Sequence, residues 1–274
     1  MQHLSYDLRD ESLALYQIMT DLPDAEFTTP TGFKNWTFND ILEHLHIWNV
    51  AAYESCADEA AFDAFVDKVK ADIMAGNLKK FEQTYINGLA GQALLNTWHD
   101  YYIKMADAFS EVDLKHRVKW VGPDMSVRSS ITARLMETWA HGLAIYDALG
   151  VVRQDSDRIK NIVVLGVNTF NWSFQVKGQT PPGPIPYIEL TAPSGEIWKF
   201  GEPSDVSAVT GTASEFCQVV TQTRNISDTN LNLTGEVAKA WMTHAQCFAG
   251  PPETPPTENT RFTKTTTNQL FASD

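Results

Sequence analysis

The sequence is poor in residues that mark several large classes of protein. Its three cysteines, Cys56, Cys217 and Cys247, are odd in number and show no Cys-x-x-Cys spacing. They therefore predict neither a disulfide framework nor a thiolate zinc site. We expect each to be a small buried apolar residue rather than a nucleophile.

Long apolar runs are also missing from the chain. None approaches the roughly 20 residues that a helix needs to span a bilayer. The amino terminus has no basic segment followed by an apolar signal core. The sequence therefore predicts a cytoplasmic protein without a membrane segment.

Positive charge is scarce as well. The 274 residues include 21 Lys and Arg against 34 Asp and Glu, a formal net charge of −13. Nucleic acids and anionic membrane surfaces attract cationic proteins, so neither is expected as a partner. The chain is long enough for two domains, and its hydrophobic content of 43% with eight tryptophans can fill their cores.

The clearest chemical signal is a carboxylate and a histidine one helical turn apart. Glu137 and His141 lie in a helical stretch whose other residues on the same face are alanines. Side chains at i and i+4 project from one face of a helix, so the two can bind one metal ion. The same spacing is equally compatible with an ordinary hydrogen bond between them.

A third candidate ligand, His44, lies far upstream. Thr37 is a predicted N-cap, with Asp40 three residues later, for a helix whose apolar stripe begins at Ile41. His44 falls on that stripe, whereas His46 lies about 200° further round the helix. His44 is therefore the better ligand candidate, although a histidine at such a position can also be a satisfied core residue.

Two segments resemble known metal-binding proteins. Trp36 to Leu45 resembles the "GWT-x-x-D-hydrophobic-hydrophobic-x-HL" opening of the mycothiol-dependent maleylpyruvate isomerase-like proteins, which are related to the DinB-type metal-binding four-helix bundles. Thr132 to Gly150 is similar to the second metal segment of that family. The likeness covers roughly residues 5 to 250 and continues through Leu190–Trp198, Val209–Cys217 and Ala245–Pro251.

The resemblance implies a fold and a ligand set. The metal ligands would be His44, Glu137 and His141, and Arg224 matches an arginine that the family places in its carboxyl-terminal domain, facing the metal. Such an arginine can hold a carboxylate substrate, although Arg224 could equally be a surface residue paired with Asp228. The implied branch has two domains, and its carboxyl-terminal part is often described by analogy as wyosine-base-formation-like.

One departure from the family lies beside the second metal segment. Many relatives carry Gln-Asp after the His-Gly of that segment, where this chain has Leu143-Ala144. An aspartate one turn beyond the ligand is therefore missing. If it contacts substrate in relatives, this chain has a more apolar site.

The fold class predicted from these signals is α+β. We expect a DinB-like four-helix bundle over residues 1–150, a smaller mixed α/β (sterol-carrier-like) domain over 151–250, and a tail rich in Pro and Thr over 251–274. Helices are predicted over residues 5–19, 37–56, 59–74 and 90–109, and a last bundle helix should end at Gly150. Residues 118–126 look too short and too broken for an independent element.

The second domain has weaker signals. We expect one long helix over 156–177, a hairpin of strands 187–191 and 196–200 around Pro193-Ser194-Gly195, helices over 212–220 and 235–248, and a short strand near 230–233. In the tail, the apolar residues Phe262, Leu270 and Phe271 could dock on the body of the protein or on a neighbouring subunit.

Two classes of function follow. The favoured one is an enzyme that uses a divalent metal, most often zinc in a His₂-carboxylate set that also accepts nickel, iron or manganese. Together with a low-molecular-weight thiol such as mycothiol or glutathione, it would act as an isomerase or transferase on a small electrophilic acid. A metal-hydroxide hydrolase is the enzymatic alternative. The other class is a non-catalytic ligand-binding protein in which the metal holds helices together. In that case His46, His99 or His116 would have to supply a fourth ligand.

Overall fold

The computed structural model describes residues 4–264 and divides the chain into two compact units. Of the described residues, the first unit contains 4–148 and the second 149–264. The protein is α+β, as predicted, because the first unit is mainly helical and the second combines a mixed sheet with short helices. Within the described residues, no helix is both long and apolar enough to cross a membrane.

The first unit is built from six helices and a small ribbon, in chain order α1 (Leu4–Gln17), α2 (Phe38–Ala57), α3 (Glu59–Met74), α4 (Leu78–Ile86), α5 (Gly91–Ser110), β1 (Arg117–Val118), β2 (Met125–Ser126) and α6 (Val127–Leu149). The predicted helices are confirmed to within two residues at each end. Gly150 follows α6 with φ +68°, the left-handed conformation in which a C′ glycine ends a helix. Helix α4 was not predicted.

Four of these helices share one hydrophobic core. Leu8 of α1, Ala52 of α2, Met105 of α5 and Leu135 of α6 are fully buried in the same cluster. The helices also touch elsewhere, because a Cβ on Gly142 of α6 would lie 3.2 Å from the side chain of Leu15 of α1. The four-helix bundle expected from the resemblance is therefore present.

Residues 118–126 correct the prediction for that segment. They belong to an antiparallel ribbon, in which Arg117 pairs with Ser126 and Val118 with Met125. The turn between the strands contains Gly122 and Pro123, residues that favour turns. The ribbon is short but is held against the bundle, because Val118 is buried in the bundle core and Trp120 and Met125 pack against that core.

The second unit begins with helical turns where one long helix was predicted. A 3₁₀ turn over Asp157–Ile159 leads into α7 (Lys160–Asn168), and α8 (Phe170–Gln175) follows after a break at Thr169. The Thr169 hydroxyl donates to the carbonyl of Leu165 at 2.7 Å. Such a bond from threonine to the preceding turn tends to bend a helix, which the apolar spacing does not reveal.

A four-stranded sheet follows in the described part of the second unit. Its strands are β3 (Tyr187–Thr191), β4 (Ile197–Phe200), β5 (Ala208–Thr212) and β6 (Asn232–Thr234), in the order β4-β3-β5-β6. The predicted hairpin is confirmed as the antiparallel β3–β4 pair, with Gly195 at φ +88° in its turn. Strand β5 was missed, and it pairs with β3 in parallel.

Two helices accompany the sheet, α9 (Ala213–Val220) and α10 (Glu236–Met242). The first agrees with the predicted helix and has Thr212 as its N-cap. The second ends well before the expected residue 248. Ile188 and Leu190 of β3, Val209 of β5 and Phe216 of α9 are fully buried.

The described part of the Pro/Thr-rich segment, residues 251–264, has no helix or strand, yet it is tied to the second unit. The Asn225 side chain donates to the carbonyl of Pro256 at 2.8 Å, and Arg261 donates to the carbonyl of Gln222 at 3.0 Å. Phe262 does not dock on the described part of the chain, since the residue is 61% exposed. Leu270 and Phe271 lie outside the described residues.

Candidate metal centre

The first ligand candidate is positioned by the start of α2. Thr37 is the N-cap, as predicted: its hydroxyl accepts from the backbone N–H of Asp40 at 3.2 Å, and the Asp40 carboxylate accepts from the backbone N–H of Thr37 at 2.8 Å. This reciprocal capping box fixes where the helix begins. His44 then lies about two turns into the helix.

The other two candidates lie on α6 and face His44. Oε2 of Glu137 is 3.0 Å from Nε2 of His141 and 3.4 Å from Nε2 of His44. All three ligand atoms lie within 4.8 Å of one another, and no fourth His, Cys, Asp or Glu joins them in the described part of the chain. Ligands about 2.0 Å from a tetrahedral zinc ion are themselves about 3.3 Å apart. The predicted trio is therefore brought together at distances that suit a metal ion.

A residue that the sequence did not single out completes the surroundings of His44. Oε1 of Glu82, on α4, lies 2.8 Å from Nδ1 of His44 and accepts a second bond from the indole N–H of Trp48 at 3.0 Å. The Glu82 side chain is only 2% exposed. A carboxylate at Nδ1 holds the ring hydrogen there and leaves Nε2 facing Glu137 and His141, which is the arrangement common around metal-bound histidines.

Glu82 could have been found from its spacing. Leu78, Phe81, Glu82 and Ile86 lie at intervals of three and four residues, which places the carboxylate on the inner face of an amphipathic helix. Phe81, Glu82 and Ile86 are buried in the structure. The pairing with His44, 38 residues away, is a tertiary contact that the local pattern does not contain.

The cluster has strongly perturbed pKa values. Burial alone would lower the pKa of His44, but the negative charge of Glu82 and hydrogen bonds with Glu137 and Glu82 raise it to about 9. Burial would raise the pKa of Glu137, yet bonds with His141 and His44 hold it well below its usual value. Burial lowers the pKa of His141. Without a metal, His44 is therefore protonated on both ring nitrogens at neutral pH. A metal ion that binds Nε2 has to displace the proton there.

Two aromatic side chains cover the cluster. The ring of Trp36 stacks on that of His141 with planes 4° apart and centroids 5.5 Å apart, and Phe33 meets the same imidazole edge-on at 4.8 Å. Both come from a tight loop before α2 in which Lys34 and Asn35 have positive φ angles of 49° and 57°. Asn35 stands where the family pattern has the glycine of GWT. Glycine and asparagine are the residues that best tolerate this conformation.

The departure from the family pattern lies at the edge of the cluster. Leu143 is buried, whereas Ala144, three residues after His141, is partly exposed. Where the resemblance leads us to expect an aspartate, this chain thus has a methyl group on the same side of α6 as the ligands.

The remaining sequence candidates lie elsewhere. His46 is buried with its ring 5.3 Å from that of Tyr101, His99 bonds to Asp100 at 3.0 Å, and His116 is exposed. Cys217 and Cys247 are buried as expected, while Cys56 is partly exposed. Burial raises the pKa of the Cys217 thiol, which does not suit a nucleophile.

Arg224 belongs to the second unit, just after α9. It is buried, 9% exposed, rather than a surface arginine, and its Nη1 donates to the carbonyl of Thr223 at 3.0 Å. Its approach to the metal cluster stays a prediction.

Comparison with known proteins gives three findings. The sequence model of the family described as "Mycothiol maleylpyruvate isomerase N-terminal domain" matches residues 8–146. Uncharacterized proteins from two strains of Mycobacterium tuberculosis are each 38% identical over 246 residues, which is 90% of this chain and 95% of theirs. The crystal structure of the mycothiol-dependent maleylpyruvate isomerase is similar in fold, with a TM-score of 0.50 and 16% identity over 79% of this chain and 86% of that one.

Proposed function

Since the chain belongs to the mycothiol maleylpyruvate isomerase N-terminal domain family, we propose that it is an enzyme dependent on a divalent metal and a low-molecular-weight thiol. Its substrate would be a small electrophilic acid, which it would isomerise or to which it would transfer the thiol. The observation that carries the proposal is the convergence of His44, Glu137 and His141, with Nε2 of His44 oriented inward by Glu82.

The donor set fits a catalytic metal better than a structural one. Two imidazoles and one carboxylate are typical of catalytic zinc, whereas structural zinc sites are closed by four protein ligands. A divalent cation held there, zinc being the expected one, would supply a Lewis acid that favours the thiolate form of a thiol at neutral pH.

The residues of the chain have separate roles in this proposal. His44, Glu137 and His141 bind the cation, and Glu82 keeps the proton of His44 on Nδ1. Trp36 and Phe33 shield the ring of His141 from water. Arg224, in the second unit, would bind the carboxylate of the substrate through its guanidinium.

The chemistry balances without a further reactant. A thiolate supplied as mycothiol or glutathione adds to one carbon of a carbon–carbon double bond conjugated to a carbonyl of the acid, and the electron pair of that double bond moves onto the carbonyl as an enolate. The former double bond is then a single bond and can rotate. Elimination of the same thiolate from the enolate restores the double bond and completes an isomerisation, whereas protonation of the enolate, by the proton that the thiol released, leaves the thiol bound and completes a transfer. The buried cysteines of the chain are not required.

Metal analysis and thiol titration test the proposal together. Protein purified without added metal should contain about one divalent ion per chain, and calorimetry should detect binding of mycothiol or glutathione to the loaded protein. His141→Ala should lose both the metal and the thiol while its helical circular dichroism is retained. Exposed His116→Ala is the matched control and should behave like the wild type.

Three results would replace the proposal. Full metal content in His141→Ala would contradict the ligand assignment. Cleavage of an ester or amide by the loaded protein, with no thiol bound, would favour the hydrolase. Binding of apolar ligands with neither thiol binding nor turnover would favour the non-catalytic protein.

A further inference from the structure

Arg134 places a buried positive charge on the same helix as Glu137 and His141 of the metal cluster. It lies on α6 one turn before Glu137, so the two side chains project from the same face of the helix. The residue is only 6% exposed. Among the described residues, its Nε and Nη1 atoms have no hydrogen-bond partner.

The nearby carboxylates do not pair with it directly. Glu137 and Glu82 favour the charged form of Arg134, while burial lowers its pKa. The hydrogen bonds that these two carboxylates make go instead to His141, His44 and Trp48. A guanidinium remains charged at neutral pH in proteins, and burying a charge without hydrogen bonds is costly.

The guanidinium of Arg134 lies near one aromatic ring, which belongs to a larger aromatic group. Its central carbon lies 5.9 Å from the centroid of Trp120, which is carried by the segment between β1 and β2. Trp120 is in turn stacked on Phe62 and lies 5.7 Å from Trp48. An arginine next to an indole ring keeps its N–H groups free for an acceptor.

We infer that Arg134 is an anion subsite for the carboxylate of a small organic acid, beside the metal cluster and within the first unit itself. This inference adds a substrate-binding residue to the proposed function. It rests on that function in one respect, that the bound acid is the substrate. A carboxylate matches the planar fork of N–H donors that a guanidinium presents, and a small organic acid can bring one to a buried site. The site is separate from Arg224, which belongs to the second unit.

The test measures binding without thiol or turnover. Zinc-loaded protein is titrated calorimetrically with maleate as the probe, and with its uncharged dimethyl ester as the chemical control. Arg134→Met should bind maleate at least tenfold more weakly than the wild type, because a hydrogen bond to a charged group contributes about that factor or more. Arg128→Met, which removes an exposed arginine from the same helix, should bind it unchanged.

The metal content of each variant separates the subsite from a structural role. Arg134→Met should keep its zinc, since Arg134 is not a ligand. If Arg134→Met binds maleate within twofold of the wild type, the inference is wrong, even if its zinc affinity or stability changes. Tight binding of the dimethyl ester, or of inorganic phosphate but not maleate, also overturns it.

A second variant covers loss of folding. If Arg134→Met loses its helical circular dichroism, Arg134→Lys serves instead, because it keeps the charge but not the planar donors. A threefold or greater loss of maleate affinity supports the subsite, and unchanged affinity contradicts it. Failure of the proposed function would be distinct, since maleate binding would persist while thiol binding was absent.

Discussion

The two units treat their buried polar side chains differently. In the metal cluster of the first unit, ionisable side chains contact one another: His44 meets Glu82, Trp48 donates to the same carboxylate, and His141 meets Glu137. In the second unit, two buried side-chain amides bond to the backbone instead. The Gln222 amide donates to the carbonyl of Ala245, and the Gln246 amide accepts from the N–H of Glu253.

The difference separates a chemical site from structural polar groups. Amides that bond to the backbone hold a loop in place and do not titrate. Ionisable side chains that meet inside a bundle leave donors and acceptors that a ligand can use, and their pKa values are shifted. The stability of the first unit should therefore depend on acid and on metal ions, and that of the second on the side-chain amides of Gln222 and Gln246.

The largest expected effect concerns acid and His46. Burial lowers the pKa of this histidine from 6.5 to about 4, and its Nδ1 has no partner among the described residues. Because the unfolded chain binds the proton more readily, the stability contributed by neutral His46 is present above pH 6.5 and is lost as the pH falls towards 4. The loss should approach about 3 kcal/mol.

Urea denaturation at pH 7.5 and 4.5, in the presence of a chelator, checks this prediction. His46→Phe should show a smaller loss between the two pH values than the wild type, and exposed His116→Phe should show the same loss as the wild type. An equal loss in all three proteins would place the acid sensitivity outside His46.

The next effect concerns Glu82 and the orientation of His44. Glu82→Gln removes the negative charge that holds the proton on Nδ1, so zinc affinity should fall by about 10- to 100-fold. Competition with a chromophoric chelator measures the loss. Exposed Glu111→Gln is the control, and an unchanged affinity in Glu82→Gln would show that its carboxylate does not orient the ligand.

A smaller effect, on the free energy of unfolding, is expected in the second unit. Gln246 is fully buried, and its side chain bonds to the carbonyl of Pro251 and the N–H of Glu253. Gln246→Ala leaves both backbone groups unsatisfied and should destabilise the fold by about 2 kcal/mol, with no change in zinc affinity. Urea denaturation of this variant, with exposed Gln175→Ala as the control, measures the loss of stability. A changed zinc affinity in Gln246→Ala would contradict the difference between the two units.

The smallest effect concerns the loop that covers His141. Asn35→Gly should be neutral or slightly stabilising at φ +57°, whereas Asn35→Val should cost about 1 kcal/mol. Thermal unfolding of the two variants provides the comparison. Equal midpoints would mean that the loop readily adopts another conformation.

The sequence predicted well the features that depend on residues close together in the chain. The N-cap at Thr37, the i and i+4 pair on α6 and the hairpin around Gly195 are three such features, and the structure contains all of them. The sequence did not single out Glu82 and Arg134, because their roles depend on contacts between segments far apart in the chain. It also missed the break at Thr169 and strand β5, because the spacing of apolar residues does not change clearly at either place.

Helix α4 links metal binding at the candidate metal centre to local folding. It is nine residues long, shorter than helices that persist alone in water, so its folding depends on its neighbours. It contributes Glu82, which contacts His44. Any cation that stabilises the inward-facing imidazole must then also favour the docked helix, and by linkage the docked helix must favour the cation to the same extent. The amide hydrogens of residues 78–86 should accordingly exchange more slowly when metal is bound, so that local opening of this segment reports occupancy of the centre.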